Sequence, residues 1–95
     1  MVKSYLETGN ELYKAVLTLR TEEECKAFFE DLCTVKEILD MAQRYDVATQ
    51  LSEGKNYVEI AKETGASTAT ISRVNKCLTY GTGYKTALAR TKEEQ

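Results

Sequence analysis

Three boxes of one form recur along this chain: Thr21-Glu-Glu-Glu24, Thr34-Val-Lys-Glu37 and Asn56-Tyr-Val-Glu59. Each is the signature of a helix start. The first side chain accepts a hydrogen bond from an unpaired backbone N–H, and the glutamate reaches back. The 95 residues contain no proline and little strand-like alternation, so the boxes predict helices joined by short turns.

Between the boxes, apolar residues recur at helical spacing. Tyr5, Leu12, Tyr13, Val16, Leu17 and Leu19 predict a helix over residues 5–19, with a weak point at Gly9-Asn10. The helix after Thr21 should bury Cys25, Phe28, Phe29, Leu32 and Cys33. The one after Thr34 should turn Val35, Ile38, Leu39, Ala42, Tyr45, Ala48 and Leu51 inward and end at Gly54. A short helix follows Asn56 and stops at Thr64-Gly65. Ser67 caps another over residues 68–78. Tyr80-Gly-Thr-Gly83 breaks the chain before a last helix holding Tyr84, Ala87 and Leu88. Each cap is worth roughly 1 kcal/mol. The expectation is an all-α domain of six helices.

Composition narrows the chemistry. There is no histidine, and the three cysteines (Cys25, Cys33 and Cys77) follow no metal-ligand spacing. That removes the usual zinc sites and the Ser/His and Cys/His nucleophile pairs, and Gly81-Thr-Gly83 is too short for a phosphate loop. An enzyme is not expected. The cysteines read as reduced thiols, with a redox role for Cys33 or Cys77 left open. Nothing at the start resembles a secretion signal, and no apolar run approaches the ~20 residues of a membrane span. A cytoplasmic protein is expected.

The net charge of −2 conceals a division. Residues 1–51 carry six basic and ten acidic side chains, whereas residues 52–92 carry seven basic and three acidic. A polyanion would therefore meet the C-terminal half.

That half also contains "EIAKETGASTATISRVNKCL", residues 59–78. Two helices crossing at a tight turn need a small residue on the first helix, which Ala61 supplies. They need a turn residue that tolerates positive φ, here Gly65, and apolar anchors on the second helix, here Ile71 and Val74. With Ile71 and Val74 inward, Thr68, Ser72 and Arg73 point out, with Ser67, Ala69 and Lys76 at the edges. Hydroxyls and an alanine let a helix settle into a major groove and read base edges or a thymine methyl. Lys55, Lys62, Arg73 and Lys76 suit phosphates. Tyr57 stands at the helix start, where it can reach a phosphate or pack. Double-stranded DNA is the partner this pattern predicts. The alternative is a helical hairpin that only packs.

The run "GASTATISR" resembles the turn and recognition helix of the Trp repressor, which has Gly-Ala-x-x-Ala-Thr-Ile-Thr-Arg there. The resemblance spans residues 12–90 and is greatest to the YerC/YecD branch of Trp-repressor-like proteins, through "YDVATQL", "IAKETGASTATISRVNKCL" and "GTGYKTAL". It implies a Trp-repressor-like fold intertwined with a second copy. Residues 1–54 would then serve dimerisation, 55–78 the helix-turn-helix, and 79–95 a C-terminal helix and tail. An intertwined homodimer also suits the apolar surface of the first three helices, which pairing would bury at roughly 25 cal/mol per Å².

The resemblance further implies an effector pocket. In the Trp repressor two arginines sandwich an indole and a threonine helps hold it; Arg44, Arg73 and Thr34 occupy the matching positions here. Val74 and Cys77 stand where the repressor has a glycine beside the ring and a serine near the ligand amine. A β-branched side chain should fill the slot for the ring, so no cofactor is expected and tryptophan is disfavoured. The favoured readings are instead a surface charge or an ion pair with Asp46 or Asp40 for Arg44, and a phosphate contact for Arg73. Val58 and Ala61 also replace basic residues of the repressor, so fewer contacts are expected from the first helix of the motif.

The leading expectation is a homodimeric transcription regulator, a repressor because no polymerase-contacting module is evident. The alternatives are a DNA-accessory module, disfavoured by the chain's length, and a non-catalytic protein-interaction module whose basic half meets an acidic partner.

Overall fold

The computed structural model describes residues 8–94, and six helices are found among them. They are α1 (Asn10–Val16), α2 (Glu22–Leu32), α3 (Val35–Ser52), α4 (Tyr57–Thr64), α5 (Thr68–Tyr80) and α6 (Gly83–Glu93). No strand occurs among the described residues. The chain divides into two compact units, one up to Ile38 and one from Leu39 onward, with the boundary inside α3.

In the first unit, the capping boxes do what their spacing requires. The Thr21 hydroxyl accepts from the Glu24 N–H at 3.1 Å, and the Glu24 carboxylate accepts from the Arg20 N–H at 2.8 Å. At the start of α3, Glu37 N–H donates to the Thr34 hydroxyl and Thr34 N–H donates to the Glu37 carboxylate at 2.8 Å. Hydrogen bonds to the Glu37 carboxyl from Thr34, its backbone N–H first and its side chain second, hold that carboxyl below its ordinary value.

The first helix differs from expectation. Tyr5 lies outside the described residues, and α1 ends at Val16 rather than near Leu19. Thr18 and Leu19 turn tightly instead, their N–H groups bonding three residues back to Ala15 and Val16. The Thr18 hydroxyl adds a second bond to the Ala15 carbonyl at 2.6 Å. Neither α1 nor α2 has a fully buried residue. Cys25, Phe28, Phe29 and Cys33 are half-buried, Leu32 is exposed, and Leu17 is 85% exposed. The apolar stripe of α2 was expected to be inside; in one chain it is only partly covered.

In the second unit, the core consists of Val47, Ala48, Ile60, Ala66, Ile71 and Val74, with Leu51, Tyr57, Ala61, Tyr84 and Leu88 packed against it. This corrects the expected inner face of α3. Val35, Leu39, Ala42 and Tyr45 are exposed, while Val47 and Gln50 are buried beside Ala48. Val47 and Ala48 share the core with Ile60 of α4 and with Ile71 and Val74 of α5, so the buried face of α3 is the one that meets those helices. Gly54, at φ 83°, ends α3 and turns the chain into α4.

Candidate nucleic-acid interface

The site grows from two caps and one glycine. Asn56 Oδ1 accepts from the Glu59 N–H at 2.9 Å, and its Nδ2 donates to the Glu59 carboxylate at 3.0 Å, starting α4. Gly65 ends α4 in the left-handed conformation, φ 74° and ψ 5°, with its N–H on the Ala61 carbonyl at 2.9 Å. A side chain would strain that backbone. The Ser67 hydroxyl then accepts from the Thr70 N–H at 3.1 Å and starts α5. The Ser67 and Thr70 hydroxyls are themselves 3.1 Å apart.

Between the caps, the hydroxyl of Thr64 donates to the Ile60 carbonyl at 2.7 Å and accepts from the Ala66 N–H at 3.1 Å. Gln43 of α3 completes the turn by donating its Nε2–H to the Thr64 carbonyl at 3.1 Å. Ile71 and Val74 are buried under α4 and α3, and Ala61 is half-buried where α5 crosses. With that face sealed, Ser67, Thr68, Ala69, Ser72, Arg73 and Lys76 are exposed and Thr70 is half-buried.

The remaining expected residues are placed less uniformly. Lys62 is exposed on α4. Tyr57 is half-buried and packs against the core, which makes packing the role visible in one chain. Lys55 is engaged in an ion pair with Glu63 at 3.1 Å, which raises its pKa, chiefly through that hydrogen bond. Local pattern reading overlooked Gln43 and Glu63. The partner of Gln43 lies 21 residues away, and that of Glu63 lies outside its helix.

Three of the suggested effector residues lie on α3 and α5. Arg73 and Cys77 stand one turn apart on α5, both exposed, and Arg44 is half-buried on α3. The hydroxyl of Thr34 is committed to the cap of α3. Among the described residues there is no cluster of metal-ligating side chains, and no helix is long and apolar enough to cross a membrane.

Two short helices locked at a left-handed glycine, the second presenting a polar outer face, define a helix-turn-helix protein of all-α class. Residues 7–92 match the family model described as Trp repressor protein, so the chain belongs to the Trp repressor family. It is 53% identical over 87 residues to the uncharacterised protein YerC of Bacillus subtilis, covering 90% of this chain and 84% of that one. A solved TrpR-like protein from Eubacterium eligens superposes with a TM-score of 0.85 at 47% identity, covering 90% of each chain. A Staphylococcus aureus structure of the same fold gives 0.86 at 44% identity, over 95% of this chain and 96% of that one. The YerC likeness places the chain in the YerC branch. Members of this family are regulatory DNA-binding proteins and not enzymes.

Proposed function

We propose that this protein is a homodimeric, sequence-specific transcriptional repressor that reads DNA through the outer face of α5. The observation that carries the reading is the division of α5 into two faces. Ile71 and Val74 are buried, while Thr68, Ala69, Ser72 and Arg73 stand exposed on a capped helix. Thr68 and Ser72 would bond base edges, Ala69 would touch a thymine methyl, and Arg73, Lys62 and Lys76 would meet phosphates or guanine.

A second copy accounts for the apolar surface a single chain leaves open. Leu12, Tyr13, Leu17, Leu32 and Val35 are exposed in the first unit, and Leu39 and Tyr45 in the second. The second unit also has a groove of about 550 Å³ lined by Tyr45, Thr49, Glu53, Leu88, Thr91 and Lys92. An amphipathic helix of the partner chain would fit it. Two-fold symmetry would then set two recognition helices on successive major grooves, ~34 Å apart.

The regulator would act without tryptophan. Val74 is only 2% exposed, its branched side chain fills the core, and the Thr34 hydroxyl already serves α3. The test is recovery of sheared genomic fragments on the purified protein at physiological salt without added ligand. Enrichment of a few fragments sharing a palindrome is expected. Uniform recovery would contradict the reading.

A further inference from the structure

The turn between α4 and α5 is held from outside by one side chain of α3. Thr64 is the last residue of α4, so its carbonyl has no partner within the helix. Gln43, half-buried on α3, supplies one from 21 residues away at 3.1 Å. The direction of α5 is decided within two residues of that carbonyl, at left-handed Gly65 and at Ala66, whose N–H rests on the Thr64 hydroxyl. A Cβ built on Gly65 would lie 3.9 Å from Gln43 Nε2, so the amide sits against the turn itself. The core of Val47, Ile60, Ala66, Ile71 and Val74 holds these helices together, but apolar contact is non-directional. A hydrogen bond has a preferred distance and angle.

We propose that Gln43 is a positioning residue for DNA reading. Its amide clamps the Thr64 carbonyl and fixes the crossing of α5 on α4, and with it the register at which Thr68, Ser72 and Arg73 meet base edges. Such constellations must be held to within about 0.5 Å to work. The proposal rests on the DNA-reading function above. It adds that the specificity of α5 depends on a helix outside the motif.

The test compares Gln43→Met, which keeps the length of the side chain and removes the donor, with the wild-type protein. Three quantities are read: affinity for a selected fragment, affinity for scrambled DNA, and amide hydrogen exchange at Gly65 and Ala66. Loss of one hydrogen bond should lower specific affinity about three- to tenfold. Scrambled-DNA affinity and its salt slope should stay unchanged, and the two amides should exchange faster. An unchanged ratio of specific to scrambled affinity would overturn the proposal, because a merely structural contact leaves that ratio alone. If Gln43→Met does not fold, Gln43→Glu keeps the size and polarity but sets an acceptor against the carbonyl, and the same ratio must fall. A wild-type protein without sequence preference would sink the DNA reading itself. The exchange measurement then still judges the clamp, since unchanged protection in Gln43→Met would show that it positions nothing.

Discussion

Lys55 Nζ lies 3.1 Å from Glu63 Oε2, joining the residue before the cap of α4 to its last turn. The lysine that sequence pattern assigns to DNA is thus neutralised within its own chain. Its raised pKa keeps the charge on, so the contribution of the pair is present at neutral pH and is lost only as pH rises through the folded-state value.

It follows that Lys55 and Lys76 should behave differently. Lys76→Ala should weaken binding to all DNA sequences and lower the salt slope of affinity by about one. Lys55→Ala should change that slope less. Glu63→Gln, which releases Lys55, should steepen it. Equal slopes for Lys55→Ala and Lys76→Ala, measured by titration at several salt concentrations, would refute the assignment.

Glu37 provides a test in acid. Its carboxyl is held below the ordinary value of 4.5 by Thr34, so its stabilisation of α3 is present above that pH and disappears as pH falls through the lowered value. Glu37→Ala should therefore melt below the wild type at pH 7. The difference should narrow progressively below pH 4.5. A gap that stays constant with pH would mean the charge plays no part.

The two glycines that end α4 and α5 should differ in a way their φ values alone do not suggest. Gly65 has φ 74°, and an added Cβ would meet nothing nearer than 3.9 Å. Gly65→Ala should cost about 1–2 kcal/mol of backbone strain. Gly81 has φ −95°, open to any residue, yet a Cβ there would lie 2.7 Å from the Cys77 carbonyl oxygen. Because that atom is backbone, α5 or α6 must shift. Gly81→Ala should destabilise at least as much as Gly65→Ala in denaturant melts, and a neutral Gly81→Ala would contradict the contact.

The exposed apolar residues predict the assembly. Leu17 is 85% and Leu39 63% exposed in one chain. Leu17→Glu and Leu39→Glu should convert a dimer to a monomer in sedimentation and abolish binding to a palindrome. If those changes leave mass and binding unaltered, neither residue lies at an interface.

The sequence revealed what is local and withheld what is distant. Every capping box was legible because its two partners lie three residues apart, and Gly65 was legible because few residues adopt its backbone. The buried face of α3 was not. Ala48 was expected inside and is, but apolar residues occur around much of that helix, and only packing selects Val47 and Gln50 over Val35, Leu39 and Tyr45. Gln50 misleads further, being a buried amide whose Oε1 has no protein partner among the described residues. The Gln43 clamp joins residues 21 apart, and the Lys55–Glu63 pair joins a helix to the loop before it, so no helical repeat reveals either. At the candidate site, the outer face of α5 could be read in advance, but the atoms that orient it could not.

The most direct measurement is selection from random DNA by the wild-type protein and by the Thr68→Ala, Ser72→Ala double variant. The wild type should enrich a palindrome whose half-sites lie one helical turn apart. The variant should keep the spacing and lose base preference at one or two positions in each half-site. Identical preferences from both proteins would show that the outer face of α5 does not read bases.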